Sequence, residues 1–207
     1  MLKIYGRANS INVRKVLWAC SEMQIPFGRE DWGRGFRSTE DPDFARVSRF
    51  GVVPVIDDGG FVLRESNTIV RYLASKHDRQ DLLPSEPQQR FAVEAWMDWA
   101  STDLYQDVRP VFQGLVFKLP QFSDPKVIEN GIIGWTRQMQ LLSDHLAVGG
   151  SYMMGPVFTA ADIPVGLIVN RWFETPFDRL TLPVIEAYYQ RLKERPGYRE
   201  YGANGTP

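Results

Sequence analysis

The sequence predicts an α/β domain followed by an all-α domain. Three observations support this prediction: strand-like and helix-like runs alternate early in the chain, Pro84 and Pro87 then interrupt it, and strand signals nearly vanish beyond them. We therefore expect a first domain at residues 1–81 and a helical domain at residues 87–207, joined by a short linker.

The first domain follows the order β-α-β-loop-β-β-α. The helices are predicted from apolar residues that recur at a period near 3.6, and the strands from short apolar runs. Pro26 closes the first helix, Asp and Gly residues form the turn of a β-hairpin, and Ser66 offers an N-cap for the last helix. In chain order, the predicted spans are residues 2–5, 10–25, 27–32, 33–42, 52–56, 61–63 and 66–76.

The second domain carries helical patterns only. A long helix begins near Pro87, and Pro110 is expected to bend or interrupt it because proline lacks the N–H that a helix interior needs. A second helix is predicted over residues 125–146, and a third begins at Thr159. The last spans residues 183–195, where Pro196 and Gly197 are expected to stop it.

Composition and charge exclude several classes of function. The 24 Lys and Arg residues nearly balance the 25 Asp and Glu residues, so no net field attracts nucleic acid or an acidic membrane surface. One cysteine and two distant histidines, Cys20, His77 and His145, argue against a disulfide or a metal site. Neither a signal peptide nor 18 consecutive apolar residues occur, so we expect a cytoplasmic protein.

A polar loop leads directly into the first helix at Ser10. One interpretation is capping, in which Asn9 or Ser10 accepts a hydrogen bond from the first turn and Asn12 is a solvated surface residue. In the other interpretation the same position takes part in the chemistry of a bound ligand. A helix N-terminus favours an anion such as a thiolate, and a hydroxyl there can lower the pKa of a thiol. On the residues alone, capping is the commoner outcome.

A proline stands inside the apolar run Val52-Val53-Pro54-Val55. Because proline has no N–H to donate and is rare in central strands, the run is either an edge strand or contains a cis Val53–Pro54 bond. A cis bond would turn the backbone of Val53 outward, leaving its N–H and C=O free to pair with a bound peptide. The residues alone favour neither alternative.

The segment Arg64-Glu65-Ser66-Asn67 lies where the hairpin meets the next helix. It is either a simple N-cap beside an exposed Glu65, or a binding site in which Ser66 holds a carboxylate and Glu65 accepts from an ammonium group. Neighbouring carboxylate and ammonium groups describe the α-amino-acid end of a ligand.

Taken in order, these segments resemble the thioredoxin-like domain of the glutathione S-transferases. The helical half agrees, because Phe158-Thr159-Ala160-Ala161-Asp162-Ile163 is similar to the buried capping box of that family. The segment Asn9-Ser10-Ile11-Asn12-Val13-Arg14-Lys15 is similar to bacterial, serine-type members related to the theta class. The resemblance covers nearly the whole chain and implies a thioredoxin-like domain followed by an all-helical domain.

The resemblance implies roles for single residues. Ser10 takes the place of the serine that activates the glutathione sulfur, and Asn12 is the second candidate because other classes have proline there. The implied glutathione-binding residues are Val53 before a cis Pro54, Glu65 and Ser66 at the γ-glutamyl end, and Arg34 or Arg37 at the glycyl carboxylate. One feature departs from the family, since Ser48-Arg49-Phe50-Gly51 stands where Asn-Pro-x-Gly is frequent, with Gly51 retained. Tyr5 lies inside the first strand and not after it, so we do not expect it to be a catalytic tyrosine.

The resemblance also implies an electrophile pocket and a homodimer. The expected wall of the pocket is Tyr105, Arg109, Phe112 and Trp172, although aromatic stripes at helical spacing more often belong to a core. Across a two-fold interface, the charged residues available to pair are Arg71, Arg90, Asp98 and Asp103. The alternative is that these charges form a solvated helix face.

We therefore predict a glutathione transferase that conjugates the glutathione thiolate to small apolar electrophiles and needs no metal. One alternative is a glutathione-dependent disulfide reductase or peroxidase on the same scaffold, and another is a non-catalytic glutathione-binding protein. Serine hydrolases, NTPases and dinucleotide enzymes have no support, because no GxSxG, P-loop or GxGxxG motif occurs.

Overall fold

The N-terminal half of the chain forms a four-stranded mixed sheet. In the computed structural model, which describes residues 1–205, the strands lie in the order β2-β1-β3-β4. Their bounds are Leu2–Tyr5 for β1, Phe27–Glu30 for β2, Val55–Asp58 for β3 and Phe61–Arg64 for β4. β1 pairs in parallel with β2 and antiparallel with β3, which forms the predicted hairpin with β4. Because β3 is an inner strand that begins after Pro54, the edge-strand interpretation of that segment is wrong.

Three helices accompany the sheet. They are α1 (Ile11–Met23), α2 (Pro42–Val47) and α3 (Ser66–Lys76). The sequence analysis did not assign α2, a single short helix in which only Phe44 is buried. Its signal was present nonetheless, since the Asp41 carboxylate accepts from the N–H of Asp43 at 2.8 Å and Pro42 occupies the first turn.

The rest of the described chain is helical. The helices are α4 (Pro87–Ser101), α5 (Asp103–Leu115), α6 (Pro125–Gly149), α7 (Asp162–Glu174), α8 (Pro183–Lys193) and α9 (Pro196–Tyr201), with a 3₁₀ turn at Pro120–Phe122. The expected linker is not loose, because Leu82 and Leu83 are buried and the C=O of Leu82 accepts from the N–H of Ala160 at 2.9 Å.

Of the two expectations about proline, the interruption at Pro110 is wrong and the stop at Pro196 is confirmed. The long helix breaks at Thr102, whose backbone leaves the helical region (φ −111°, ψ −93°), whereas Pro110 lies inside α5. Pro110 is accommodated where α5 and α6 meet closely, since a Cβ on Gly131 would come within 3.0 Å of the Pro110 Cγ. Helix α8 ends at Lys193, before Pro196, and Pro196 then begins the further helix α9, where its missing N–H costs nothing.

The start of α7 is a buried cap with no unused oxygen. The Asp162 carboxylate accepts from the backbone N–H groups of Thr159 (2.8 Å) and Met153 (2.9 Å), and from the hydroxyls of Tyr188 (2.8 Å) and Thr159 (3.3 Å). The predicted capping box is therefore confirmed in one half only: the Asp162 carboxylate accepts from the Thr159 N–H, whereas the Thr159 hydroxyl donates to Asp162 and α7 begins at Asp162. Burial raises the pKa of Asp162 to about 6, and the four hydrogen bonds oppose that rise.

Helix α1 belongs to the core of both halves. It packs on α3 of the sheet half and on α7 and α9 of the helical half. Its fully buried Trp18 contacts Phe158 and Tyr198, with ring centroids 5.5 Å and 4.7 Å away. The two halves therefore share one apolar core, and the N-terminal end of α1 opens at the junction between them. Within residues 1–205, no helix is long and apolar enough to cross a membrane.

Candidate functional site

A cleft of about 310 Å³ opens where the N-terminal ends of α1 and α3 meet α4, α5 and α7. Its wall is largely polar and comes from both halves of the chain. The lining residues are Ile11, Asn12, Lys15, Glu65, Ser66, Asn67, Thr68, Arg71, Asp98, Ala100, Ser101, Tyr105 and Ile168. Of the site residues expected from the sequence, the cleft brings together Asn12, Glu65, Ser66 and Tyr105.

Ser10 lies directly before α1, beside the cleft but not in its lining. Its N–H donates to the C=O of Arg7 at 3.1 Å, and the side chain is 9% exposed. The hydroxyl makes no capping hydrogen bond, while Asn9 accepts from Arg7 at 2.8 Å instead of capping the helix. The capping interpretation of this loop is therefore wrong, and the Ser10 hydroxyl remains free at the positive end of α1.

The first turns of α1 and α3 face each other across the cleft. The Ser66 hydroxyl donates to the Asn12 side-chain oxygen at 3.4 Å, a distance at which a hydrogen bond is weak. No side chain caps α3. The N-terminal N–H groups of α3 can therefore bind an anion, and the long Ser66–Asn12 contact can give way to a ligand.

Glu65, the residue before α3, has an unusual backbone conformation. Its φ is 69°, a left-handed value that residues with a side chain rarely adopt. The Glu65 side chain is 63% exposed and pairs only with the neighbouring Arg64. The carboxylate is thus presented to solvent beside the cleft, where it can accept from a ligand ammonium group.

The Val53–Pro54 peptide bond is cis. Val53 lies against the turn between β1 and α1, because a Cβ on Gly6 (φ 149°) would come within 3.0 Å of the Val53 Cβ. Only glycine permits this approach. The backbone N–H and C=O of Val53 form no hydrogen bond with any residue of the described range 1–205, which leaves both groups for a ligand.

The two candidate arginines of the β2–α2 loop differ in their partners. Arg37 pairs with Asp43 (3.1 Å) and Asp41 (3.6 Å), and its guanidinium lies 3.9 Å above the Trp32 ring. Arg34 has no ion pair within residues 1–205 and lies 4.3 Å above the ring of Phe117, in the helical half. Neither arginine lines the cleft.

The four residues expected to form the electrophile wall are dispersed. Tyr105 lines the cleft, whereas Arg109 is exposed with its guanidinium 5.6 Å from the Phe122 ring. Trp172 is 1% exposed and packs against Trp135 and Phe177 in the core. Phe112 is buried as well, so of the four only Tyr105 contributes to the cleft.

Sequence reasoning missed two buried cations at this site, Lys15 and Arg171. Each is 5% exposed. Lys15 lines the cleft with its ammonium 3.5 Å from the Ser101 hydroxyl, and Arg171 lies 3.7 Å above the Phe112 ring and next to Tyr105. The available signal was spacing, since Lys15 lies three residues after Asn12 and therefore on the same face of α1.

Burial dominates the electrostatics of these cations. It lowers the pKa of Lys15 to about 8, and the nearby charge of Arg171 lowers it further while that of Glu65 opposes the shift. Burial likewise lowers the pKa of Arg171 to about 9. The side of the cleft formed by α1, α5 and α7 is therefore positively charged and poorly solvated.

Comparisons with known proteins agree with one another. Residues 4–85 match the family model described as the N-terminal domain of glutathione S-transferase. Glutathione S-transferase GstB of Escherichia coli (strain K12) is 33% identical over 202 residues, which cover 97% of each chain. Glutathione S-transferase 3 of Zea mays is 29% identical over 206 residues, covering 96% of this chain and 92% of that protein.

A solved structure shows the same arrangement of the chain. It is the theta class glutathione S-transferase from the citrus canker pathogen Xanthomonas axonopodis pv. citri with glutathione bound. The two structures superpose with a TM-score of 0.89 at 35% identity, covering 97% of this chain and 96% of that one.

Proposed function

The chain belongs to the glutathione S-transferase family and is a glutathione transferase, and from this premise we propose that Ser10 activates the glutathione sulfur. The observation that carries the proposal is the Ser10 hydroxyl at the start of α1, which makes no capping hydrogen bond although the residue is only 9% exposed. A hydroxyl there can donate to a thiolate, and the helix N-terminus favours the same negative charge.

The reaction needs a thiolate at neutral pH. A free thiol has a pKa of about 8.5, and each unit of depression corresponds to about 1.4 kcal/mol. A hydroxyl donor and a helix N-terminus together supply roughly one to two units. The glutathione proton leaves to water, the thiolate attacks the electrophilic carbon, and the leaving group departs with the electron pair of the broken bond.

The γ-glutamyl end of glutathione would lie at the start of α3. Ser66 and the free N–H groups of the first turn would bind its carboxylate, and the exposed Glu65 carboxylate would accept from its ammonium group. The unpaired backbone of Val53, before the cis Pro54, would bind the cysteinyl unit as an added strand. Asn12 contacts Ser66 and remains the second candidate for the thiol.

For the glycyl carboxylate we favour Arg34 over Arg37. Arg37 would first have to leave Asp41 and Asp43, whereas Arg34 has no ion pair in the described part of the chain. Arg34→Gln should weaken glutathione binding, with Arg37→Gln as the matched control. Calorimetry decides the choice, and a larger loss in the Arg37 variant would reverse it.

We also propose that the two halves of the chain bind different substrates and that the protein is a homodimer. Residues 1–81 would bind glutathione, and residues 87–207 would supply the electrophile side through Tyr105 and its neighbours. The charges expected to pair across a dimer interface are partly used within one chain, since Arg71 pairs with Asp98 and Arg90 with Glu94. Light scattering at micromolar protein tests the dimer, and a mass near the 23.7 kDa of one chain would exclude it.

The proposed role of Ser10 is tested through the bound thiol itself. The thiolate absorbance of bound glutathione is titrated against pH in the wild type, in Ser10→Ala and in Ser85→Ala, which removes an exposed loop hydroxyl. We expect a bound thiol pKa at least about one unit below that of free glutathione in the wild type and Ser85→Ala, and a value near the free one in Ser10→Ala. Equal values in all three proteins would contradict the proposal.

A turnover panel distinguishes the reaction types. Haloarenes, epoxides and disulfides are offered with glutathione while calorimetry measures its binding. Conjugation of a haloarene or epoxide supports transfer, whereas turnover of disulfides alone would favour the reductase alternative. Glutathione binding without any turnover would favour the non-catalytic one.

A further inference from the structure

Three cations gather on one side of the cleft without a carboxylate partner. They are Arg7, Lys15 and Arg171, which we call the basic cluster. Lys15 and Arg171 are buried and Arg7 is half-buried. Within residues 1–205, no Asp or Glu oxygen lies within 4.0 Å of a charged nitrogen of any of the three.

The cluster is unusual because buried charges in proteins are normally paired. Here the cations repel one another, since Arg7 acts unfavourably on Arg171 and Arg171 on Lys15. The Nε atoms of Arg7 and Arg171 are buried without a hydrogen-bond partner. Glu65 is the one carboxylate with a favourable influence on Lys15, and it is mostly exposed. Such an arrangement is best explained by a counter-charge that a ligand brings.

The basic cluster lies where the start of α1 meets the helical half of the chain. Arg7 and Ser10 belong to one turn, closed by the hydrogen bond from the Ser10 N–H to the Arg7 C=O. Lys15 lines the cleft directly. Arg171 lies next to Tyr105, which lines the cleft, and its guanidinium covers Phe112, whose ring lies 4.9 Å from that of Phe117. Positive charge and aromatic surface therefore meet next to the place proposed for the sulfur.

We propose that the electrophile of this transferase is an anion, whose carboxylate is recognised by Lys15 and by Tyr105 next to Arg171. The inference rests on the proposed function and replaces the uncharged electrophile that the family resemblance implies. In the reaction the carboxylate is unchanged. The glutathione thiolate forms a C–S bond at the reacting carbon, and the carbon–halogen bond breaks with the halide taking its electron pair. Arg171 acts as a positioning residue for Tyr105. Its charge also attracts the carboxylate of the electrophile, because in a poorly solvated cleft electrostatic attraction extends over several ångströms.

The test compares two electrophiles with the same reacting carbon and different charge. The full chain is assayed with glutathione and either 4-(chloromethyl)benzoate or 4-(chloromethyl)benzamide, after subtraction of the uncatalysed rate. We expect kcat/KM to favour the benzoate about 10- to 100-fold, the range of a hydrogen bond to a charged group. That ratio should fall toward one in Arg171→Met and in Lys15→Met, and Arg171→Lys should keep most of it.

A matched control is Arg191→Met. It removes a guanidinium that donates to the Ser151 C=O at 2.7 Å and lies 6.0 Å from the Tyr152 ring, outside the basic cluster. We expect the benzoate-to-benzamide ratio of this variant to equal that of the wild type. Lys15→Met keeps the proposal testable if Arg171→Met does not fold.

Other results would overturn the inference in distinguishable ways. Turnover of both probes with no preference for the benzoate would overturn it and leave the proposed function standing. An equal loss on both probes in Arg171→Met, with a raised KM for glutathione, would assign the basic cluster to glutathione and overturn it as well. If no electrophile of the turnover panel or this pair reacts, the proposed function fails and the inference fails with it.

Discussion

The two buried helix starts at Ser10 and at Asp162 use similar residues in opposite ways. Both lead into helices of the shared core and have a hydroxyl residue nearby, Ser10 as the N-cap of α1 and Thr159 three residues before the start of α7. At α7, the Asp162 carboxylate accepts four hydrogen bonds. At α1, the Ser10 hydroxyl makes no cap bond and the neighbouring Asn9 is used elsewhere. A hydroxyl near a helix start therefore either stabilises the fold through hydrogen bonds or remains available to a ligand, depending on the groups that surround it.

The two helix starts also differ in whether the buried polar atoms around them have hydrogen-bond partners. Four side chains at or beside the cleft contain buried polar atoms without a partner, namely Arg7, Asn67, Arg71 and Arg171. No such atom occurs among the residues that surround the Asp162 carboxylate, as far as the described chain shows. Unsatisfied polar atoms cost stability, so their concentration at the cleft indicates a site that a ligand completes.

The largest effect on stability is expected at the start of α7, where the Asp162 carboxylate accepts four hydrogen bonds. Asp162→Ala leaves the buried donors of Thr159, Met153 and Tyr188 without an acceptor, so it should lower the free energy of unfolding by about 3–5 kcal/mol. Urea unfolding measures this loss. The control is Asp124→Ala at the exposed start of α6, where one cap bond of 2.9 Å should be worth about 1 kcal/mol. Equal losses of unfolding free energy in the two variants would contradict the prediction that the buried Asp162 contributes more to stability than the exposed cap of α6.

Ser10→Ala should give the reverse pattern. It should lower kcat by about 100- to 1,000-fold, as does the loss of a donor to a developing charge, which costs about 2.7–4 kcal/mol. The free energy of unfolding should change by less than about 0.5 kcal/mol, because no cap bond is lost. Steady-state kinetics and urea unfolding on the same preparation test both parts. A wild-type kcat would transfer the role to Asn12, and a large loss of stability would restore the capping interpretation.

A third helix start, that of α3, should differ from α1 because changes there affect glutathione binding and not turnover. Ser66→Ala or Glu65→Ala should weaken glutathione binding by about 1.5–3 kcal/mol, the cost of losing a hydrogen bond to a charged group. Calorimetry measures the change. Ser75→Ala, near the opposite end of the same helix, is the control and should bind normally. Unchanged affinity in a folded Ser66 variant would exclude this position for the γ-glutamyl end.

The smallest expected effect concerns the charge buried at the cleft. The pKa of Lys15 is lowered to about 8 from an ordinary 10.5, so below pH 8 the folded state holds a charged, buried ammonium. Lys15→Met should therefore raise the free energy of unfolding near pH 7 by about 1–2 kcal/mol. Between pH 8 and 10.5 the folded protein binds fewer protons than the unfolded one, so wild-type stability rises relative to the variant and the gap narrows. A gap that widens with pH would contradict this assignment of the Lys15 pKa.

Much of the fold follows from local sequence signals. The apolar periods of 11–23 and 66–76 place α1 and α3, the Asp-Gly turn places the β3–β4 hairpin, and the Thr159–Asp162 spacing places the cap of α7. These signals succeed because they act within one element, where neighbours in sequence are neighbours in space. The break at Thr102 was not predictable in the same way, since the packing of Pro110 against Gly131 decides that the proline remains inside α5.

The sequence by itself determined the order of β1–β4, α1 and α3, the Asp162 cap of α7 and the candidate residues Ser10, Glu65 and Ser66. Only the tertiary structure decided that Asn12 meets Ser66 and that, among residues 1–205, the Ser10 hydroxyl is unused and Lys15 and Arg171 are buried without an ion-pair partner. The physical reason is distance along the chain. A cap is a contact over three residues, whereas the cleft joins α1, α3, α5 and α7, and the pKa of a lysine depends on how much water those distant helices exclude.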